Sequence, residues 1–353
     1  MFSDGLCYNT SMKHLTATYE EDIYSSRILD FYFNGMRIGA LDIETTGLNP
    51  ADNKLILGGL YRFQEKTMHQ FFAENRSEEA AALAGFLQEL SGLDMVITYN
   101  GTRFDLPFLE KRLRLHTAGE KAPLLQAAGE SLPYHLDLYL VLKGHSPLRK
   151  FVPNLKQKTV ENYMGLWQSR QDEISGAESV TLYHTYEKTR EPELEKKILL
   201  HNSDDVLQLT RLLRVISKCD FHKAMFHLGF PAGPLTVETI CVDQHCLTIR
   251  GRQREHPFDY VGFTFDEYPL ESRFESKTAS FLMKLPLIRD RGLVIADLEA
   301  AQLDCRDFEK YPTYSSGFLV LETERQKNYM EINHFIKAFI KLFLERKDDS
   351  VWM

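Results

Sequence analysis

The sequence predicts an α/β domain in which a mixed sheet carries packed helices, followed by a smaller α+β segment. Two patterns point there. Residues 36–73 read as three consecutive strands, "MRIGALDIE", "KLILGGLYRF" and "KTMHQFFA", whose connections "TTGLNPADN" and "QE" suit an antiparallel meander. From about residue 78 helical and strand patterns alternate, which extends such a sheet and covers it with helices. The pattern changes again after Gly229-Phe-Pro-Ala-Gly-Pro234, a stretch with the composition of a linker.

Along the chain, a helix is expected over 78–90, where Leu83, Phe86, Leu87 and Leu90 recur at helical spacing. A fourth strand, "DMVITY" at 94–99, ends at Asn100-Gly101, and a helix begins around Asp105-Leu-Pro107. From "YHLDLYLVL" at 134–142 the pattern is mainly helical, ending in a long helix from about Pro192 to Lys218. Its stripe of Leu194, Ile198, Asp205, Leu209, Leu212 and Ile216 places one acid in an apolar face. After residue 234, "LTVETICVDQHCLTIRGRQR", "YVGFTF", "SFLMKL", "GLVIAD" and "GFLVLETE" read as strands. Ile332, Phe335, Ile336, Phe339, Ile340 and Phe343 make 331–346 an amphipathic helix.

Composition narrows the function. The 353 residues are 43% hydrophobic, enough for a substantial core. No run approaches the roughly 20 apolar residues of a membrane helix, and "MFSDGLCYNTSMKH" lacks the apolar segment of a signal peptide. The expectation is a cytoplasmic protein with no membrane partner. The five cysteines are scattered and expected to be reduced thiols. Cys241 and Cys246 flank Asp243-Gln-His245, a pattern that a hairpin turn explains as well as zinc does. A net charge of −8 argues against coating nucleic acid over the whole surface and leaves room for a local basic groove.

Three groups of acids stand out. On a strand Asp42 and Glu44 point to one face while Leu41 and Ile43 point to the other. Two like charges about 4 Å apart repel by roughly 4 kcal/mol at an effective dielectric of 20, so the pair needs cations or water. In "YNGTRFDLPF" at 99–108, Asn-Gly makes a turn and Asp105 can cap the following helix. In "HNSDDVLQL" at 201–209, His201 and Asp205 share the inward stripe of their helix, while Asp204 lies about 100° away. Asp205 is therefore the better site candidate of the two.

Asp-x-Glu on the first strand, Asn-x-x-x-Phe-Asp after the fourth and His-Asn-x-x-Asp on a late helix resemble the motifs of the DEDD 3′–5′ exonuclease superfamily. The chain is most similar to the YprB-like ribonuclease H-like family. There the likeness extends to "HLDLY" at 135–139, "NLKQKTVENYMG" at 154–165 and "RQDEISGAE" at 170–178, and covers roughly 36–218. The resemblance implies a ribonuclease H-like fold, with a mixed five-stranded sheet flanked by helices over 31–228. Residues 1–30 would be an N-terminal extension and 235–353 an α+β accessory domain of unknown role.

The resemblance further implies that Asp42, Glu44, Asp105 and Asp205 hold two Mg2+ or Mn2+ ions. His201 takes the place that a tyrosine holds in one branch of the superfamily, while the other branch has histidine one residue further away. It would orient the attacking water or accept its proton. Asp137 in "HLDLY" is expected to be structural or supporting. The implied activity is hydrolysis of phosphodiester bonds in single-stranded DNA or RNA, 3′ to 5′; an endonuclease and a catalytically silent binding module are the alternatives. Protein partners are not indicated.

Substrate contacts are sought at Thr45, Asn100 and Phe104, beside the acids, and at Arg250, Arg252 and Arg254, which alternate along "CLTIRGRQR". Tyr99, Lys111, Arg112, Arg114, Arg149, Lys150, Lys156 and Lys158 are further candidates. For all of these a packed aromatic or a solvated charge is the plainer account.

Overall fold

A computed structural model describes residues 12–21, 23–117, 133–166, 170–171, 174–243, 245–324 and 326–351. The chain divides into two compact units. Asn34–Cys219 with the chain up to Asp30 form one, and Phe31–Phe33 with the chain from Asp220 onward form the other.

The first unit is built on strands β1 (Lys13–Thr18), β2 (Ile38–Thr45), β3 (Leu55–Arg62), β4 (Thr67–Phe72), β5 (Met95–Thr98) and β6 (Tyr134–Asp137). Helix α1 (Arg27–Phe33) lies between β1 and β2 in the chain. The strand order is β1-β4-β3-β2-β5-β6. β2, β3 and β4 form the expected antiparallel meander, and β5 and β6 add in parallel on the other side of β2. The sheet has six strands rather than five, because β1 pairs antiparallel with the free edge of β4, Lys13 opposite Phe72 through Thr18 opposite Thr67. β1 is mostly exposed and lacks the apolar alternation that marks a half-buried strand. β6 opens the 134–142 region, where the pattern is mainly helical, and supplies the fifth strand of the expected sheet; four residues are too short to show a period of two.

Both faces of this sheet are covered. Helices α2 (Glu79–Ser91) and α3 (Asp105–Thr117) bury Leu83, Phe86, Leu87, Leu90, Phe108 and Leu109 with Leu41, Ile43, Leu60 and Phe71. Between β6 and the later helices run α4 (Leu138–His145) and α5 (Gln157–Tyr163). α6 (Gly176–Thr189) and α7 (Pro192–Leu212) cover the opposite face, where Tyr183, Tyr186 and Ile198 pack on Ile56, Leu57 and Phe72. α7 starts with Pro192, Glu193 and Glu195 and has Arg211 in its last turn, the polarity a helix dipole favours. Because Leu41 and Ile43 face α2, Asp42 and Glu44 face α7.

Gly58 and Gly59 on β3 each open one face. A methyl group on Gly58 would meet the Phe86 ring at 2.6 Å, and one on Gly59 would meet Oδ1 of Asn202 at 2.0 Å. Gly59 sits opposite Asp42 in the ladder, so its missing side chain is what admits Asn202 beside the acid. Gly59→Ala should therefore cost about 1–3 kcal/mol through displacement of Asn202. Gly144→Ala, with nothing within 4 Å of the added methyl, should leave the melting temperature level or slightly raised. Thermal denaturation of the two variants checks this.

The second unit holds helix α8 (Phe221–Leu228) and an antiparallel sheet of β7 (Phe230–Ala232), β8 (Leu235–Val242), β9 (Cys246–Gln253), β10 (Tyr260–Phe265), β11 (Tyr268–Glu275) and β12 (Ser280–Pro286), in the order β10-β11-β12-β9-β8-β7. β7 lies within the stretch of linker composition. A second sheet, in the order β13-β14-β16-β15, is made of β13 (Ile288–Asp290), β14 (Leu293–Asp297), β15 (Tyr314–Ser315) and β16 (Phe318–Glu322). The expected amphipathic helix is α9 (Tyr329–Val351). Its Phe339 and Phe343 pack on Phe265 and Phe274 of the larger sheet, so its apolar face is spent within the unit. No helix among the described residues is long and apolar enough to cross a membrane.

Candidate metal centre

Three elements deliver the acids to one place. β2 supplies Asp42 and Glu44, α7 supplies His201 and Asp205, and α3 starts with Asp105. β5 pairs with β2 only from Ile38 to Ala40, so the two β2 acids lie past the end of that pairing, where the chain after β5 turns into α3. Single ligand atoms of Glu44, His201 and Asp205 lie within 4.8 Å of one another. His201 is buried, and its Nε2 is 3.6 Å from both Oε1 of Glu44 and Oδ2 of Asp205. Among the described residues this is the cluster spaced to hold a metal ion; Cys241, Cys246 and His245 form none.

Electrostatics ties Asp42 and Asp105 to the same cluster. Burial, then repulsion from Asp105, Asp205 and Glu44, holds the Asp42 carboxyl well above the usual range, against a hydrogen bond from Asn202. Glu44 is pushed up to about 7 by burial, with Asp205 and Asp105 adding and His201 opposing. Asp105 is likewise pushed up to about 7 by burial, partly offset by backbone hydrogen bonds from its own amide and from Ile43. Without a cation, then, the pocket resists carrying all its charges.

Supporting contacts fix this geometry. Nδ2 of Asn202 donates to the Asp42 carbonyl at 3.1 Å and approaches its Oδ2 at 3.4 Å, while Oδ1 accepts from Gln70. Asp137 accepts from the backbone of Asn100 and Thr102 and caps α4 through Tyr139 and Leu140. It thereby holds the turn leading to Asp105, in which Asn100 adopts a φ of 67°. The Ser179 hydroxyl is fully buried beside Glu44 and draws its pKa down, yet meets no partner of good hydrogen-bond geometry among the described residues.

Sequence reasoning missed Arg170, whose Nη1 donates to Oδ1 of Asp205 at 2.5 Å. It also missed the use of Asp204, which is buried and accepts from the Gln171 backbone. Neither contact has a spacing signal, since each joins a helix to an irregular segment more than thirty residues away.

The proposed substrate contacts fare unevenly. Thr45 is buried, with its hydroxyl donating to the Gly47 carbonyl, and Phe104 packs on Phe108 with ring centroids 5.7 Å apart. The Tyr99 hydroxyl donates to the Leu155 carbonyl. Arg112 is buried in a two-pronged ion pair with Glu79, and Arg114 pairs with Glu110 on its own helix. Lys111, Arg149, Lys150, Lys156 and Lys158 are exposed. Arg250 and Arg252 belong to the second unit and are exposed on one face of β9, Arg252 paired with Glu238. Arg254 does not share that face, because the strand ends at Gln253 and its side chain turns to the Gly233 carbonyl.

Known proteins resemble part of the chain. Uncharacterized protein YprB of Bacillus subtilis (strain 168) is 33% identical over 192 residues, which are 53% of this chain and 43% of that protein. The chain therefore spans less than half the length of this relative. The family B DNA polymerase of the archaeon Pyrobaculum calidifontis matches 51% of this chain with 24% of its own at 19% identity and a TM-score of 0.39. Brucella melitensis NrnC matches 56% of this chain with 78% of its own at 19% identity and a TM-score of 0.32. The RNase_H_2 family, of the RNase_H superfamily, matches residues 40–217, from the strand carrying Asp42 to the end of the helical segment after Asp205. With the family pattern matched over half its length and the acids gathered on its mixed sheet, the chain belongs to the RNase_H superfamily.

Proposed function

We propose that the protein is a metal-dependent nuclease that hydrolyses phosphodiester bonds of single-stranded DNA or RNA, 3′ to 5′, with two Mg2+ or Mn2+ ions. The observation carrying this reading is the convergence of four carboxylates and an imidazole in one pocket, where burial and repulsion from neighbouring acids hold Asp42 and Glu44 above the usual carboxylate range. Such a cluster is costly unless cations join it, and carboxylate oxygens suit hard divalent ions. When bound, two such ions supply neutralisation of charge on the attacking and leaving oxygens. Asp42, Glu44, Asp105 and Asp205 would hold them.

The chain's own groups provide the rest. His201, between Glu44 and Asp205, would orient the attacking water and take up its proton, since a carboxylate on each side stabilises the imidazolium that results. Asn202 keeps Asp42 turned toward the pocket, and Asp137 keeps the turn before Asp105 in place. The first unit would form the nuclease domain and the second an accessory domain, with Arg250 and Arg252 exposed for backbone phosphates. Free thiols at Cys219, Cys241, Cys246 and Cys305 support a cytoplasmic setting.

The test uses linear single-stranded DNA and RNA labelled at the 5′ end, and a closed single-stranded circle, each with Mg2+, Mn2+ or EDTA. The expected result is a metal-dependent ladder from the 3′ end with the circle intact. A cut circle would make the enzyme an endonuclease. Binding without cleavage of any substrate would reduce the protein to a silent module.

A further inference from the structure

Two stretches singled out in the sequence, at 154–165 and from Arg170 onward, supply none of the four acids, yet Glu161 of the first meets Arg170 of the second. Glu161, on α5, is 1% exposed, and its two oxygens accept from Nε and Nη2 of Arg170 at 3.1 and 3.0 Å. This two-pronged pairing fixes the plane of the guanidinium. The third nitrogen, Nη1, donates to Oδ1 of Asp205, whose Oδ2 faces His201. The same neighbourhood also pins the backbone around Asp205. Gln157 of α5 donates to the Asp205 carbonyl at 3.1 Å, and the Gln171 amide donates to Oδ2 of Asp204 at 2.6 Å.

We propose that Glu161 and Arg170 are a positioning pair for Asp205. Glu161 holds Arg170 still, Arg170 engages Oδ1, and Oδ2 is left aimed at the space shared with Glu44 and His201, as a one-oxygen ligand for a divalent ion. The inference rests on the metal-centre reading above and adds the device that sets how one ligand is presented. A lone cation at this point would repel the ion. Paired with a buried carboxylate it brings no net charge, so what it contributes is orientation.

That cancellation supplies the experiment. Glu161→Gln with Arg170→Gln leaves the local net charge unchanged while releasing Asp205. Arg170→Lys keeps the charge but loses the fork. Full-length wild type, both variants and Asp205→Asn are titrated with Mn2+ alone, without nucleic acid, by calorimetry and by Mn2+ electron paramagnetic resonance. The double variant should bind Mn2+ at least about tenfold more weakly, and Arg170→Lys should weaken it in the same direction. If both bind within twofold of wild type while Asp205→Asn is impaired, the pair is only a structural staple and the proposal falls. If Asp205→Asn also matches wild type, or wild type binds no Mn2+, the metal-centre reading falls and takes this inference with it. Should the double variant not fold, Arg170→Lys decides by the same criterion.

Discussion

Asp42→Asn is expected to remove nuclease activity by at least about a thousandfold and, in EDTA, to raise the melting temperature. The two effects have one cause. Burial and three neighbouring acids hold the Asp42 carboxyl well above its usual pKa, so the folded metal-free protein resists a charge that the unfolded chain carries freely at neutral pH. Asparagine keeps the size and an acceptor oxygen and drops that charge. The gain should be on the order of 3 °C, the size expected of about 1 kcal/mol in a domain this large. Excess Mg2+ should reverse the ranking, since an ion bound at a hundred times its Kd stabilises by about 2.7 kcal/mol and the variant forfeits that term. Melting curves in EDTA and in Mg2+, beside the nuclease assay, give all four values. A variant less stable than wild type in EDTA would mean that Asp42 supports the fold and that repulsion among the acids is not the dominant cost.

The contrast between Asp42 and Arg170 marks what the sequence could reveal. Strand alternation separates Leu41 and Ile43 from Asp42 and Glu44, and the helical stripe picks Asp205 over Asp204; both follow from local periodicity, and Glu44 and Asp205 meet in the cluster spaced to hold an ion, although Asp204 is buried as well. β1 escaped because an exposed edge strand need not alternate. Cations escaped for another reason. Arg112 had the look of a surface charge on a helix, yet Glu79, 33 residues earlier, draws it into the interior. Arg170 sits outside any regular element and meets Glu161 and Asp205 across 9 and 35 residues. A long charged side chain can reach in many directions, so its partner is set by the tertiary fold and leaves no trace in spacing.

Between about pH 4 and pH 7 Glu44→Gln should gain stability relative to the metal-free wild type as pH rises. Glu44 and Asp105 stand near 7 in the folded protein against ordinary values of 4.5 and 3.8. In that window the folded chain keeps protons that the unfolded chain has released. The contribution of each such group must then fall with pH, at up to about 1.4 kcal/mol per unit, being fully present below the unfolded value and gone above 7. Other groups titrate too, so the informative quantity is the difference between wild type and Glu44→Gln, from which they largely cancel. Urea midpoints in EDTA across this range should give converging curves at low pH and diverging ones toward 7, with the variant the more stable. Divalent ions need deprotonated ligands, so Mg2+ should stabilise wild type most above pH 7, where these carboxyls are ionised. Parallel curves for the two proteins would mean that Glu44 ionises as freely in the folded chain as in water, and the pocket would then lack the strain that makes a cation welcome there.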